Sequence, residues 1–280
     1  MERPYGLDDI KLNINTSNSN TATRKEVLSK YKEKIVALCT ESGDEFLLQP
    51  FFEFQQIQRL RLNFSSIDKE LNKEICEVML ERHAKTLEEI NLILLVLSPD
   101  VTLRLPSIPM LSSLTVDVMQ NSHLMSLIHA YKNTLTELKI KNIEPYSGAV
   151  DYRIKIPNLK LLHVRNYYDK KCIVALLKAG VNTLEMLQLK DIQFNHHLLQ
   201  NVEFSKLRYI HIRDIPGNLA LCLLQSCRST LSDLKLERIN ISLYKKGLVL
   251  PKLRMLEIKE ASRETAVGLM QASQARKLKN

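Results

Sequence analysis

The chain contains no tryptophan and only 7 glycines among its 280 residues. That is too little glycine for a collagen or for a series of glycine-rich phosphate loops. Its longest apolar stretch, Ile90 to Leu97, is broken by Asn91, well short of the roughly 18 residues a membrane-spanning helix needs. The opening segment MERPYGLDDIKLNINTSNSN holds no apolar core of the kind a secretory leader carries. The five cysteines, Cys39, Cys76, Cys172, Cys222 and Cys227, are odd in number and never spaced CxxC. They read as free thiols in a reducing compartment, the cytoplasm or nucleus. No GxSxG, HExxH, GxGxxG or phosphate-loop motif occurs, so the expectation is a protein without catalytic activity and without a cofactor. His163 and His211 fall on strands two apart, roughly 10 Å, too far for one zinc ion. His196 and His197 lack a third ligand at suitable spacing, and no metal site is expected.

What is present is ordinary in amount and unusual in order. Hydrophobic residues make up 45% and charged residues 25%, enough apolar surface to offset chain entropy. The formal net charge is +9 and the pI about 9.2, which favours acidic partners. The frame L-x-x-L-x-L, with Ile, Val or Met allowed for Leu, starts at Leu7, Ile35, Ile57, Leu87, Leu111, Leu135, Leu159, Leu184, Leu207, Leu231 and Leu253. Of the frame positions only Thr40 is not apolar. Two forms alternate. One follows a Thr-Leu signature, as at Leu87, Leu135, Leu184 and Leu231; the other usually follows Pro or Ser, as in PNL and PKL. After the second form come helical patterns: Leu124, Leu127, Ile128 and Tyr131; Ile173, Leu176 and Leu177; Leu219, Leu223 and Leu224. Asp169 and Asn218 are suited to cap the last two. After the first form come loop signals such as EPYSGAVDYR at 144–153. Frame positions four and six share one face of a strand, a face that one unit cannot bury alone. Stacking the units fuses these faces into a core.

With eleven copies in phase, the chain resembles a leucine-rich-repeat protein over nearly all its length. The family's Asn/Cys slot instead holds Ile143, Ile192, Ile215 and Ile239 in four copies. This departure is similar to the irregular repeats of F-box substrate receptors, and more distantly to ribonuclease-inhibitor-like arrays. The resemblance implies an α/β solenoid: a curved array with parallel strands on its concave face and alternating helical and loop returns. It implies one array over 1–280. The first frame opens at Leu7, and ARKL at 275–278 stands where a twelfth strand would begin. Neither end shows a polar cap, so a fragment of a longer array, or ends covered by a partner, is expected.

In such an array, frame positions three, five and seven face outward. Between the copies at Leu135 and Leu207 they hold Lys139, Lys141, Arg165, Lys190 and Arg213 against one acid, Glu137. Beside them lie Leu161, His163, Met186, Tyr209 and His211. Apolar and aromatic groups ringed by cations suit an interface with an acidic peptide or protein surface. The resemblance implies a non-enzymatic protein-recognition module, the substrate-binding part of an F-box ubiquitin-ligase receptor, whose adaptor contact would lie outside this chain. A stand-alone inhibitor or scaffold is the second reading and a basic nucleic-acid-associated solenoid the third. The last is the weakest, because Tyr209 is the one aromatic in the patch. No membrane partner is expected.

Overall fold

A computed structural model describes residues 10–14, 30–31, 33–40, 48, 54, 56–64, 68–98, 100–143, 152–167, 169–199, 201–241 and 247–274. Eleven strands run in the order β1 (Ile10–Ile14), β2 (Ile35–Thr40), β3 (Arg59–Asn63), β4 (Glu89–Ile93), β5 (Ser113–Asp117), β6 (Glu137–Ile143), β7 (Leu161–Tyr167), β8 (Met186–Lys190), β9 (Tyr209–Arg213), β10 (Asp233–Glu237) and β11 (Met255–Lys259). They form one sheet in which hydrogen-bonded neighbours are also neighbours in sequence. Wherever the register is resolved the pairs are parallel. The chain divides into two compact units, 1–135 with 143–150 and 136–142 with 151–280.

Alternation explains the strands. Leu162 and Val164 on β7, Leu187 and Leu189 on β8, and Leu234 and Leu236 on β10 are fully buried, while the residues between them reach solvent to varying degrees. The leading residues Leu87, Leu111, Leu135, Leu159, Leu184, Leu207 and Leu231 are fully buried as well. Each such side chain removed from water contributes about 1.5–3 kcal/mol.

Among the described residues there are five helices: α1 (Lys69–His83), α2 (Asn121–Tyr131), α3 (Lys170–Ala179), α4 (Gly217–Ser226) and α5 (Arg263–Gln274). Asp68 caps α1 by accepting from the N–H groups of Glu70 and Leu71, and Asp169 caps α3 by accepting from Lys171 and Cys172. Asn218 is not a cap. It lies inside α4, which is preceded by Pro216, and its Oδ1 accepts from the Leu219 N–H at 2.9 Å. None of these helices is long and apolar enough to cross a membrane. All five cysteines carry free thiols, and Cys76, Cys172 and Cys227 are buried.

The strands leave the sheet through a left-handed residue at the eighth frame position. Leu94, Val118, Asn142, Asn166, Asp191, Asp214, Arg238 and Glu260 all have φ between 48° and 59°. The turn is tied sideways to the next strand. The N–H of Asp191 donates to the Arg213 carbonyl at 3.0 Å, Asp214 to Glu237 at 3.2 Å, and Arg238 to Lys259 at 3.0 Å. At the ninth position, where a leucine-rich repeat carries its Asn or Cys, stand Leu95, Met119, Ile143, Tyr167, Ile192, Ile215 and Ile239, every one buried.

These observations correct the expected architecture. The chain is an α/β fold on one continuous eleven-stranded parallel sheet, with five helices bounded among the described residues, not a leucine-rich-repeat solenoid of equal strand-and-return units. Two physical reasons stand behind the correction. The connections are not equivalent, since α1 to α4 each fill one, α5 follows the last strand, and the described parts of the others hold a helical pair at Lys30–Tyr31, irregular segments or a 3-10 turn. The exit turn satisfies its backbone through the left-handed N–H rather than through a buried polar side chain, whose place an apolar one has taken. The kinship with F-box receptor and ribonuclease-inhibitor-like repeats falls with the solenoid. The expected opening at Leu7, residues 144–151 of the expected loop at 144–153, and the segment 275–278 lie outside the described residues, while 152–153 are irregular.

Candidate functional site

Strands β7 to β11 pair without a shift, so their outward side chains stand in three straight rows. The first row reads Leu161, Met186, Tyr209, Asp233, Met255. The second reads His163, Gln188, His211, Lys235, Glu257, and the third Arg165, Lys190, Arg213, Glu237, Lys259. Adjacent members are about 4.8 Å apart. Eight of the ten residues singled out in the sequence therefore share one surface on β7, β8 and β9. Lys139 and Lys141, on β6, act on the same surface electrostatically, because both help to depress the proton affinity of His163.

Acids neutralise much of this surface, two of them passed over by sequence reasoning. Lys139 meets Glu137, the acid already noted, at 3.3 Å, while Arg165 meets Asp191 at 3.7 Å and Arg213 meets Asp214 at 3.2 Å. Asp214 also accepts from Arg238, whose Nε lies 2.7 Å from Oδ1 and whose second nitrogen contacts Oδ2. Hydrogen bonds from Arg238 and Arg213 hold its carboxyl down at about 2. Asp191 and Asp214 occupy the left-handed exit position, one residue past the third row. The usable signal was the residue type there: Asn142, Asn166, Asp191 and Asp214 are the kind that enter left-handed backbone most readily. Asn166 donates to Asn142 at 2.8 Å along the same line.

Lys190 is the exception. It stands between Arg165 and Arg213 in its row and has no acid within ion-pair distance among the described residues. Burial lowers its proton affinity, Glu237 opposes that, and Arg213, Arg165 and Lys235 lower it further. Behind it, His163 is pushed down to about 4 by burial, then by Lys190, Lys141, Lys139 and His211. Its Nε2 is buried without a hydrogen-bond partner. His211 is also lowered, by burial and then by Lys190, against the pull of Glu237, whose Oε1 lies 3.4 Å from its Nε2. Both imidazoles therefore take up a proton less readily than a free one, and His211 directs its Nε2 at Glu237. Lys190, the two aspartate-held guanidiniums and the two imidazoles thus stand together beside the apolar row Leu161, Met186 and Tyr209.

Gln188 separates His163 from His211. His196 and His197 have ring centroids 4.0 Å apart, with His196 bonded to Asn218 at 3.0 Å. Among the described residues no three His, Cys, Asp or Glu converge. Compared with protein-family models, curated proteins and solved structures, the chain matches none. The substrate-receptor role, and the inhibitor, scaffold and nucleic-acid alternatives, all rested on the solenoid. Replacing it with the single sheet removes their basis.

Proposed function

We propose that the outward face of β7, β8 and β9 binds an acidic polypeptide segment, with one carboxylate seated on Lys190. The observation that carries this reading is Lys190, half-buried between Arg165 and Arg213, which keep their own aspartates, and without an ion-pair partner among the described residues. A single uncompensated charge suits a carboxylate. The neighbouring Leu161, Met186 and Tyr209 offer the apolar contact that a peptide side chain fills and a bare anion does not. The site is read as a binding place rather than a catalytic one. The free thiols support a reducing compartment, cytoplasm or nucleus.

Fluorescence anisotropy with a labelled peptide of alternating glutamate and leucine tests the reading. Lys190→Glu is expected to weaken binding at least tenfold, since it replaces attraction by repulsion at the seat of the carboxylate. Tyr209→Ala is expected to weaken it about threefold or more. Equal affinity of wild type and Lys190→Glu would sink the assignment.

A further inference from the structure

A second basic feature lies elsewhere on the sheet, where β9, β10 and β11 begin. It is a groove of about 620 Å³ whose lining includes Lys206, Arg208, Lys252 and Arg254, with Thr230 and Ser232 between them. Among the described residues no acid lines it. The four cations are exposed, and among the described residues none of them has an ion-pair partner. Their placement follows from the frame. Arg208, Ser232 and Arg254 each precede the first residue of a paired strand, and Lys206, Thr230 and Lys252 lie two residues earlier. The register that aligns the outward rows therefore aligns two further rows at this end.

We propose that this groove binds a small ligand carrying two or more linked phosphate groups. Charge supports it first: four unopposed cations attract a multiply charged anion, whereas the Lys190 surface has matched most of its charge internally. Spacing supports it next. Arg208 and Arg254 are two strands apart, roughly 10 Å, a span that linked phosphates bridge better than one orthophosphate. Guanidiniums grip phosphate oxygens in pairs while lysines act as point charges at the flanks. The size lies within the usual range for small-ligand sites, about 300–1,000 Å³. Among the described residues no aromatic side chain lines the groove, and the oligonucleotide arm of the test below covers a nucleobase that would stack. The hydroxyls add shape more than donors: Ser232 already donates to the Arg208 carbonyl at 3.1 Å or to Asp233 at 2.5 Å, and Thr230 to the carbonyls of Phe204 and Cys227.

Calorimetric titration of the full chain with tripolyphosphate tests this. Wild type is expected to bind it at least tenfold more tightly than orthophosphate. Arg208→Gln with Arg254→Gln should lose at least tenfold, and Lys206→Gln with Lys252→Gln several-fold; all four side chains are exposed, so folding is preserved. Lys190→Glu is expected to leave this binding within twofold, which separates it from the strand-face site. The proposal is overturned by absence of binding, by undiminished binding in the arginine variant, by hexaglutamate competing as well as tripolyphosphate, or by an eight-nucleotide thymidine oligomer binding more tightly.

Discussion

The exit turns show how one residue's backbone can oppose its side chain. Asn and Asp tolerate left-handed φ, but Leu94 and Val118 adopt it at 59° and 58°, and a β-branched residue there is under strain of roughly 1–2 kcal/mol. Val118→Asn, the residue type of the equivalent Asn142 and Asn166, is expected to raise the melting temperature by about 2–4 °C. A lowered Tm would mean that Val118 contributes more by its contacts than it loses by its torsion. His83 illustrates a different conflict. It is buried in α1, stacked on Phe54 with ring centroids 6.3 Å apart, and burial pushes its proton affinity down to about 4. The unfolded imidazole takes up a proton below its ordinary 6.5, while the folded one stays neutral until about 4. Stability therefore falls as pH drops through that window, by up to about 1.4 kcal/mol per pH unit. Urea unfolding at pH 7, 6 and 5 should show this slope in wild type and a reduced one in His83→Leu.

At the scale of elements, α4 depends on a close approach at its start. A Cβ on Gly217 would lie 1.9 Å from the carbonyl oxygen of Asn240. Helix propensity favours alanine over glycine by about 1 kcal/mol, but a backbone atom cannot yield as a flexible side chain can. Gly217→Ala is expected to destabilise by about 1–3 kcal/mol in chemical denaturation. Sequence made the strand positions legible, because alternating apolar residues such as Leu187 and Leu189 have one physical reading once they recur in phase. It did not make the family legible. The same apolar spacing serves any sequentially paired parallel sheet, and the departure that mattered, Ile143, Ile192, Ile215 and Ile239 in the polar slot, was visible but treated as a variation. The cations of the candidate site were legible as rows, whereas Asp191 and Asp214 were not, since they come back to it only through the left-handed turn. Lys206 and Arg254 drew no reading from the sequence, and their convergence needs the register.

For the whole molecule, burial is uneven along the sheet. The inward residues of β8 and β9 are fully buried, while Leu256 and Ile258 on β11 and Ile10 and Leu12 on β1 are only half-buried. Hydrogen exchange should be fastest in β1 and β11 and slowest in the strands between them. Uniform protection would show that the terminal strands are covered in solution. The pairing order has a further consequence for how the protein is made. Each strand from β2 onward bonds to the strand just before it in the chain, so its first partner is always close in sequence, and closing so short a loop is cheap. A chain emerging from the ribosome can add each strand as it appears, without waiting for a distant one to be synthesised.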